Sequence, residues 1–334
     1  MYSATGLAAA SFFHFRIAVA KSGGAGGGWD IDLIFMMNFI KFHMMAVNYT
    51  NAAILDDPVK GKDLTTRERY YAEPLRERVH FIDFMHYFLF VGSSWSGMSH
   101  EYRTFDEFIN CKGDYANIPK DKLYAPAFKR FFESLGCLGV FVIIIKNVSY
   151  NHLLTDEWAS SSFVYKAGYL VAAAHMKVWS CFIGFTSMEA NFIACGQGYT
   201  PAKITKDKDG KVVKTVPENF NSIRQINIWA LTLQESWVGA VTGWNIQVHF
   251  WLKYYVMLRL MDRNKPHGQM QIMPMAVTFI ASAAWHGIEL GFFVMFIGFA
   301  FMEYIVKVGE KTTIANWITT NIPFAVYHPF KWFS

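Results

Sequence analysis

A chain of 334 residues with 53% hydrophobic, 17% aromatic and only 17% charged residues is too apolar for the usual pair of soluble domains of that length. Thirty-one Phe, 16 Tyr, 11 Trp and 16 Met, with a mean hydropathy of +0.17, also exclude a disordered chain, a collagen, a coiled coil or a disulfide scaffold. The formal net charge of +5 comes from scattered Lys and Arg, which argues against a nucleic-acid partner and suits loops that hold anionic lipid.

An integral membrane protein is therefore the leading class, although clean apolar runs of about 20 residues are scarce. Residues 5–20 form a short apolar segment without a basic start, so it does not read as a signal peptide. The glycine-rich Ser22–Gly28 run that follows reads as a connector, and lacks the Lys-Ser/Thr ending of a phosphate loop. Residues 30–47 read as a Met- and Phe-rich helix interrupted by Asn38, Lys41 and His43. A polar loop with Pro58 and Pro74 occupies Asn51 to Arg78, and the apolar element Phe81 to Ser99 comes next. Asp106 to Lys129 is a second polar loop, and residues 130–147 hold the most lipid-like stretch of the chain.

Residues 161–199 read as one long helix bending into a second, shorter one. The most hydrophilic loop is 200–220, with a turn at Asp209-Gly210. Apolar segments at 223–260, 268–288 and 290–306 follow, and the tail ends in an aromatic and basic cluster, His328–Phe333, of interfacial type. The four cysteines, Cys111, Cys137, Cys181 and Cys195, form no CxxC pair, so no metal site is expected. The fold class expected is all-α: a polytopic membrane protein of about seven to nine membrane helices around a polar chamber. A single integral membrane domain over 1–334 is anticipated, with an N-terminal segment and connector at 1–29, a core at 30–308 and an interfacial tail at 309–334.

Lys41, His86, His175, Lys177, Glu189, Glu235, Asn245, His249, His286 and Glu289 fall within or beside apolar segments. A polar group in hydrocarbon is costly, so such residues face a protein interior or a wet cavity. Each alone is equally met by snorkelling or an interhelical hydrogen bond; together they point to a shared chamber.

Two segments carry the chemistry. In Glu235–Arg259, Asn245 and His249 are four residues apart, so on a helix they share a face. In Ala281–Gly287, His286 lies near the end of a 21-residue uncharged run, Gly268 to Ile288, where an imidazole is out of place against lipid. These residues resemble the membrane-bound O-acyltransferase family, and most of all its lysophospholipid acyltransferase branch. Trp285-His286-Gly287 resembles the family's Trp-His-Gly motif. Trp244-Asn245, followed by Trp251-Leu252, Tyr254-Tyr255 and Arg259, resembles its Trp-Asn segment on the preceding helix. Upstream, Glu189-Ala190 with Gly196-Gln197-Gly198-Tyr199 is similar to its Gly-x-Gly-Tyr region. His86-Tyr87-Phe88 leading to Gly97-Met98, Tyr102 and Phe105 is similar to its Tyr-rich helix. The resemblance spans about residues 30–308 in the right order. Met98 stands where the family usually has proline, and Glu289-Leu290-Gly291-Phe292 replaces a common Tyr-Pro-Gly-Tyr. The family usually carries further helices at both ends of this core.

The resemblance implies transfer of an acyl chain from acyl-CoA, a co-substrate rather than a resident cofactor, to the hydroxyl of a lysophospholipid. His286 is then the general base, since a neutral imidazole can accept the hydroxyl proton as attack begins. Asn245 holds the acceptor hydroxyl or donates to the thioester oxyanion. Trp244, His249, Glu235, Trp285 and Gly287 are expected around them as substrate-binding or supporting residues. Lys203, Lys206, Lys208, Lys211 and Lys214 either meet the phosphates of CoA or form a solvated loop. The resemblance places such a protein in the endoplasmic reticulum, with membrane lipids, lysophospholipid and acyl-CoA as partners. The alternative is a catalytically inactive structural subunit of a larger complex, with protein partners covering its exposed faces and a mitochondrial membrane as its site.

Overall fold

The computed structural model describes residues 31–57, 74–90, 99–206, 212–233, 237–262, 265, 269–309 and 312. In chain order its helices are α1 (Ile31–Asp56), α2 (Phe81–Leu89), α3 (Tyr102–Ile109), α4 (Tyr124–Asn147), α5 (Asp156–Ser160) and α6 (Phe163–Ala194). After strands β1 (Lys203–Lys206) and β2 (Val212–Val216) come α7 (Ile228–Leu233), α8 (Trp237–Gly243) and α9 (Ile246–Trp251). A π-helical turn, Leu252–Met257, leads into α10 (Leu258–Leu260), then α11 (Ile272–His286) and α12 (Leu290–Gly309). The predominance of helix fits the all-α expectation. The N-terminal segment, the glycine connector and nearly all of the tail expected at 309–334 lie outside the described residues.

Among the described residues, two helical stretches are long and apolar enough to cross a bilayer: Lys120–Leu154, which contains α4, and α12. Seven to nine were expected. The difference has a physical cause. The apolar sequence at 223–288 is divided into helices of three to 15 residues, and the long α1 and α6 carry internal polar groups such as Lys41, Asn48, Lys177 and Glu189. Along α4 and α12 the large side chains point outward: Phe132, Leu135, Ile143, Val294, Ile297 and Phe301 are all exposed. An apolar surface of that kind is a lipid-facing surface.

The chain divides into two compact units, one of residues 1–106 and 229–334, the other of residues 107–228. In the second unit α4 and α6 form an antiparallel hairpin. Ser134 Oγ donates to the Ile183 carbonyl (3.2 Å) near its middle, and Tyr150 Oη donates to the Ala173 carbonyl (3.1 Å) beyond the end of α4. At the other end, Arg130 Nε meets Glu189 Oε2 at 2.5 Å, both side chains being nearly inaccessible. Glu189 Oε1 accepts the backbone N–H groups of Gln225 (2.6 Å) and Ile226 (3.0 Å), and Arg130 Nη2 donates to the Ile226 carbonyl (2.7 Å). Arg130 Nη1 completes the set on Glu133. The buried pair is thus fully hydrogen-bonded and ties the segment at 225–226 to the hairpin.

The helix expected to bend within 161–199 is continuous to Ala194. It starts at Ser162, whose hydroxyl accepts from the Tyr165 N–H. It ends in a Schellman cap: Gln197 N–H donates to Phe192 O (3.0 Å), Gly196 N–H donates to Ile193 O (2.9 Å), and Gly196 has φ +86°. Gly198 sits so close to the next strand of chain that an added Cβ would lie 2.8 Å from the Phe220 carbonyl oxygen. The two glycines of the Gly-x-Gly-Tyr segment therefore make a tight return. Gln197 O receives the hydroxyls of Tyr115 (3.2 Å) and Ser222 (3.3 Å), and burial pushes the Tyr115 phenol pKa up. The hydrophilic stretch expected as a loop at 200–220 is an antiparallel hairpin, Lys203 pairing with Val216 and Thr205 with Lys214. Its β-branched residues, Ile204, Val212, Thr215 and Val216, favour extended backbone, a signal masked by the lysines between them.

In the first unit α1 is the spine. Lys41, 0% exposed, donates to the carbonyls of Tyr87 (2.8 Å) and Phe88 (3.1 Å) in the last turn of α2. An ammonium there satisfies carbonyls that lack helical partners and meets the negative end of the helix dipole.

Replacing Glu189 by Ala leaves the buried guanidinium with Glu133 alone, removes the acceptor of the Gln225 and Ile226 N–H groups, and should lower stability by about 3–5 kcal/mol. The double change Glu189→Ala with Arg130→Met should recover a large part of that loss. Thermal unfolding of the detergent-solubilised protein checks this; a double variant as unstable as the single one contradicts it.

Candidate functional site

His286 is the last residue of α11, half-buried, with its ring between aromatic neighbours of α12. It stacks on Phe296 (centroids 5.0 Å, 23°) and Phe292 (5.7 Å, 24°), and meets Trp285 edge-on at 4.6 Å. Phe292 belongs to the Glu289–Phe292 stretch that departs from the family's usual sequence, and it now has a place: it holds the imidazole plane. Trp285 is 3% exposed, and its indole Nε1 donates to the Met36 carbonyl of α1 at 2.9 Å. Gly287 is buried and extended, with φ 167°, and its N–H closes α11 on the Ala283 carbonyl (3.0 Å). Any residue adopts that φ, so backbone freedom is not what this glycine supplies.

Asn245 is the N-cap of α9, in the left-handed region at φ 43°, ψ 59°. Asn tolerates that conformation better than other side-chain-bearing residues. Its backbone carbonyl accepts the His249 N–H (2.9 Å), but the side chain caps nothing: Oδ1 is buried and has no hydrogen-bond partner among the described residues. The expectation that Asn245 and His249 sit on one helix face is corrected here, because the helix begins only at Ile246. Trp244 is half-buried beside it at the close of α8.

The helices on either side of the Asn245 turn both reach the surroundings of His286. From α8, Trp237 packs on Phe299 (5.3 Å), Phe299 on Phe296 (5.8 Å), and Phe296 on His286. From α9, Val248 and Trp251 share a buried cluster with Trp285, the two indoles 6.1 Å apart. His249 is half-buried, with Lys253, Glu303 and Lys307 as its electrostatic neighbours. Glu235 lies outside the described residues. Those of the ten polar interruptions that are described do not all share one environment. His86, His175, Lys177 and Glu289 are exposed, Glu189 is locked to Arg130 in the other unit, and Lys41 caps α2. Lys203 pairs at 3.6 Å with Asp114 on an exposed surface.

What sequence reasoning missed is how the Trp251…Tyr255…Arg259 stripe is held. Successive members of this stripe, four residues apart, meet polar residues of α1. Trp251 Nε1 donates to His43 Nδ1 (3.0 Å), which fixes that nitrogen as the unprotonated one. The Tyr255 hydroxyl donates to the Glu101 carboxylate and lies 3.2 Å from Asn48 Oδ1. Arg259 Nη1 donates to Asn51 Oδ1 at 2.8 Å. Part of the signal was present: Asn48 and Asn51 are three residues apart on α1 and share a face. Glu303 was missed too, a lone acid in the apolar run of α12; it is buried, pairs with Lys307 (2.7 Å), and leaves Oε2 without a partner among the described residues.

Changing Tyr255 to Phe keeps the ring and removes the hydroxyl from a buried carboxylate bond, and should cost about 2 kcal/mol. Trp251→Phe, which loses a neutral bond to His43, should cost about 1 kcal/mol before packing losses. Thermal denaturation of the two variants against wild type, with Tyr255→Phe the less stable, is the check.

Comparison with known proteins matches residues 13–332 to the family model described as MBOAT, membrane-bound O-acyltransferase family. The chain is 25% identical over 284 residues to the lysophospholipid acyltransferase of Saccharomyces cerevisiae, covering 80% of this chain and 43% of that protein. It is 24% identical over 282 residues to lysophospholipid acyltransferase 2 of Arabidopsis thaliana, covering 83% and 56% respectively. To membrane-bound glycerophospholipid O-acyltransferase 1 of Mus musculus it is 21% identical over 257 residues, covering 71% and 47%. The chain spans about half the length of the curated relatives it matches. With Trp285-His286-Gly287 and Trp244-Asn245 inside a match that runs through nearly its whole length, the chain belongs to the membrane-bound O-acyltransferase family.

Proposed function

We propose that this chain transfers an acyl group from acyl-CoA to the hydroxyl of a lysophospholipid, with His286 and Asn245 as its catalytic residues. The observation that carries the reading is the side-chain oxygen of Asn245, buried at a left-handed turn with no hydrogen-bond partner among the described residues. A buried acceptor left unmade costs about 1–3 kcal/mol, and a substrate donor removes that cost. The flanking helices lead through packed rings to His286, so both residues belong to one packed region.

In this scheme the acceptor oxygen attacks the thioester carbonyl carbon while His286 takes the hydroxyl proton. The carbon–sulfur bond then breaks, the thiolate of CoA leaves, and the imidazolium returns the proton to sulfur. The Asn245 NH₂ is available to the oxyanion that forms on the carbonyl, and its Oδ1 accepts from a substrate donor other than the hydroxyl proton that His286 takes. Phe292 and Phe296 keep the imidazole in one plane throughout, and Trp285 fixes the end of α11 against α1. No acyl-enzyme is needed. The relatives reported above are all acyltransferases by name, which supports this reading and adds nothing to that of an inactive subunit. The endoplasmic reticulum membrane is assigned on the same family grounds.

Purified chain supplied with a lysophospholipid and acyl-CoA should release free CoA thiol and form the diacyl product. His286→Ala should abolish transfer, and Asn245→Ala should reduce it about 10²–10³-fold, the loss typical of a missing oxyanion or orienting contact. Transfer at wild-type rate by a folded His286→Ala protein would overturn the proposal.

A further inference from the structure

A cavity of about 630 Å³ lies between the second half of α1 and the start of α2, and nothing in the acyl-transfer scheme uses it. That volume is within the range of small-molecule sites. Its walls are apolar and aromatic: Phe42, Met45 and Ala46 from α1, Phe81 and Phe84 from α2. Phe42 and Phe84 meet edge to face at 6.4 Å across it. The loop before α2 is pinned to α1 at several points, so the wall it forms is fixed. Leu75 N–H donates to the Asn48 carbonyl (3.1 Å), and the Tyr49 hydroxyl donates to the Glu77 carbonyl (3.1 Å) and accepts from Val79 N–H (3.0 Å).

The charges on that loop are divided. Arg76 is neutralised by Asp56 through two nitrogens, at 2.9–3.2 Å. Glu77 and Asp83 are exposed and do not line the cavity. The two basic residues that do line it, Arg78 and His80, are exposed and have no hydrogen bond or ion pair of their side chains among the described residues. His80 is also the N-cap of the nine-residue α2 and caps it with no side-chain hydrogen bond, so first-turn N–H groups face the same end. Beside the cavity Phe81 is 75% and Ile82 66% exposed, which puts its mouth on an apolar outer surface.

We propose that this cavity binds one anionic phospholipid of the surrounding bilayer, an acyl chain lying against Phe42, Phe81 and Phe84 and the phosphate held by Arg78 and His80. The apolar walls require a hydrocarbon chain, which excludes a bare anion as the natural occupant. The unpaired basic rim requires a negative head, which a zwitterionic lipid offers only in part. The site is independent of the acyl-transfer reading: it uses neither His286 nor Asn245.

The full chain, reconstituted in nanodiscs of equal parts phosphatidylserine and phosphatidylcholine and then examined by native mass spectrometry, should retain phosphatidylserine preferentially. The double variant Arg78→Gln with His80→Gln changes only exposed side chains, so it should fold as wild type, and it should lose retention of phosphatidylserine about fivefold or more. Ala46→Trp, which fills the cavity, should lose retained lipid of both kinds; if that variant does not fold, the double variant alone decides. Equal retention of the two lipids by wild type, or undiminished phosphatidylserine on the double variant, overturns the proposal. So does displacement of the lipid by inorganic phosphate alone, which would mark an anion site without a place for the chain.

Discussion

A polar group surrounded by hydrocarbon has to find its partner inside the protein, and the architecture of this chain follows from that constraint. Lys41 is the clearest case: a fully buried ammonium on the spine helix, directed onto two carbonyls that end α2. The Arg130–Glu189 pair answers the same demand in the other unit, and there the solution organises more than itself. Glu189 uses one oxygen for the guanidinium and the other for two backbone N–H groups, so the segment at 225–226 acquires its position from a side chain nearly forty residues upstream. The stripe from Trp251 to Arg259 is the third instance. Its members do not interrupt a membrane helix; they attach it to α1.

Much of this was legible in the sequence, and the parts that were not share a reason. Apolar composition named the class, and the motif residues Trp285, His286 and Asn245 were found from spacing and resemblance. The number of spanning helices was misjudged because hydropathy cannot distinguish a helix facing lipid from a short helix packed among others: α7 to α11 are apolar but none is long enough to cross. The polar interruptions looked alike on paper, yet Lys41 and Glu189 are buried and bonded while His175 and Lys177 are exposed. Partner identity is a property of three-dimensional neighbours, and only the i, i+4 regularity of Trp251, Tyr255 and Arg259 announced that a seam existed. The hairpin at 203–216 was hidden by composition: alternating lysines read as a solvated loop although the residues between them are β-branched.

Three buried polar atoms lie around Asn245 without partners among the described residues. Along α1 each buried polar side chain discussed above has a partner. Around α8, the Asn245 turn and α12, Trp237 Nε1, Asn245 Oδ1 and Glu303 Oε2 are buried without hydrogen bonds among the described residues, as Ser99 Oγ and His100 Nε2 are elsewhere in the same unit. The rings of Phe296 and Phe299 on α12 stand between the first of these and His286. A buried polar atom left unmade costs about 1–3 kcal/mol. Under the proposed reaction that cost has a use, because the missing partners are the ones a substrate brings.

His286 ends its helix at a position where side chains are ordinarily free to turn, and it is restrained by stacking with Phe292 and Phe296 and by the anchored Trp285. Ring stacking fixes the plane of the imidazole. A base that must take a proton from a lipid hydroxyl and then return it to a departing thiolate has to keep that plane through both transfers. Sequence departs from the family's common pattern at Glu289–Phe292, and in this chain Phe292 from that stretch supplies one face of the restraint.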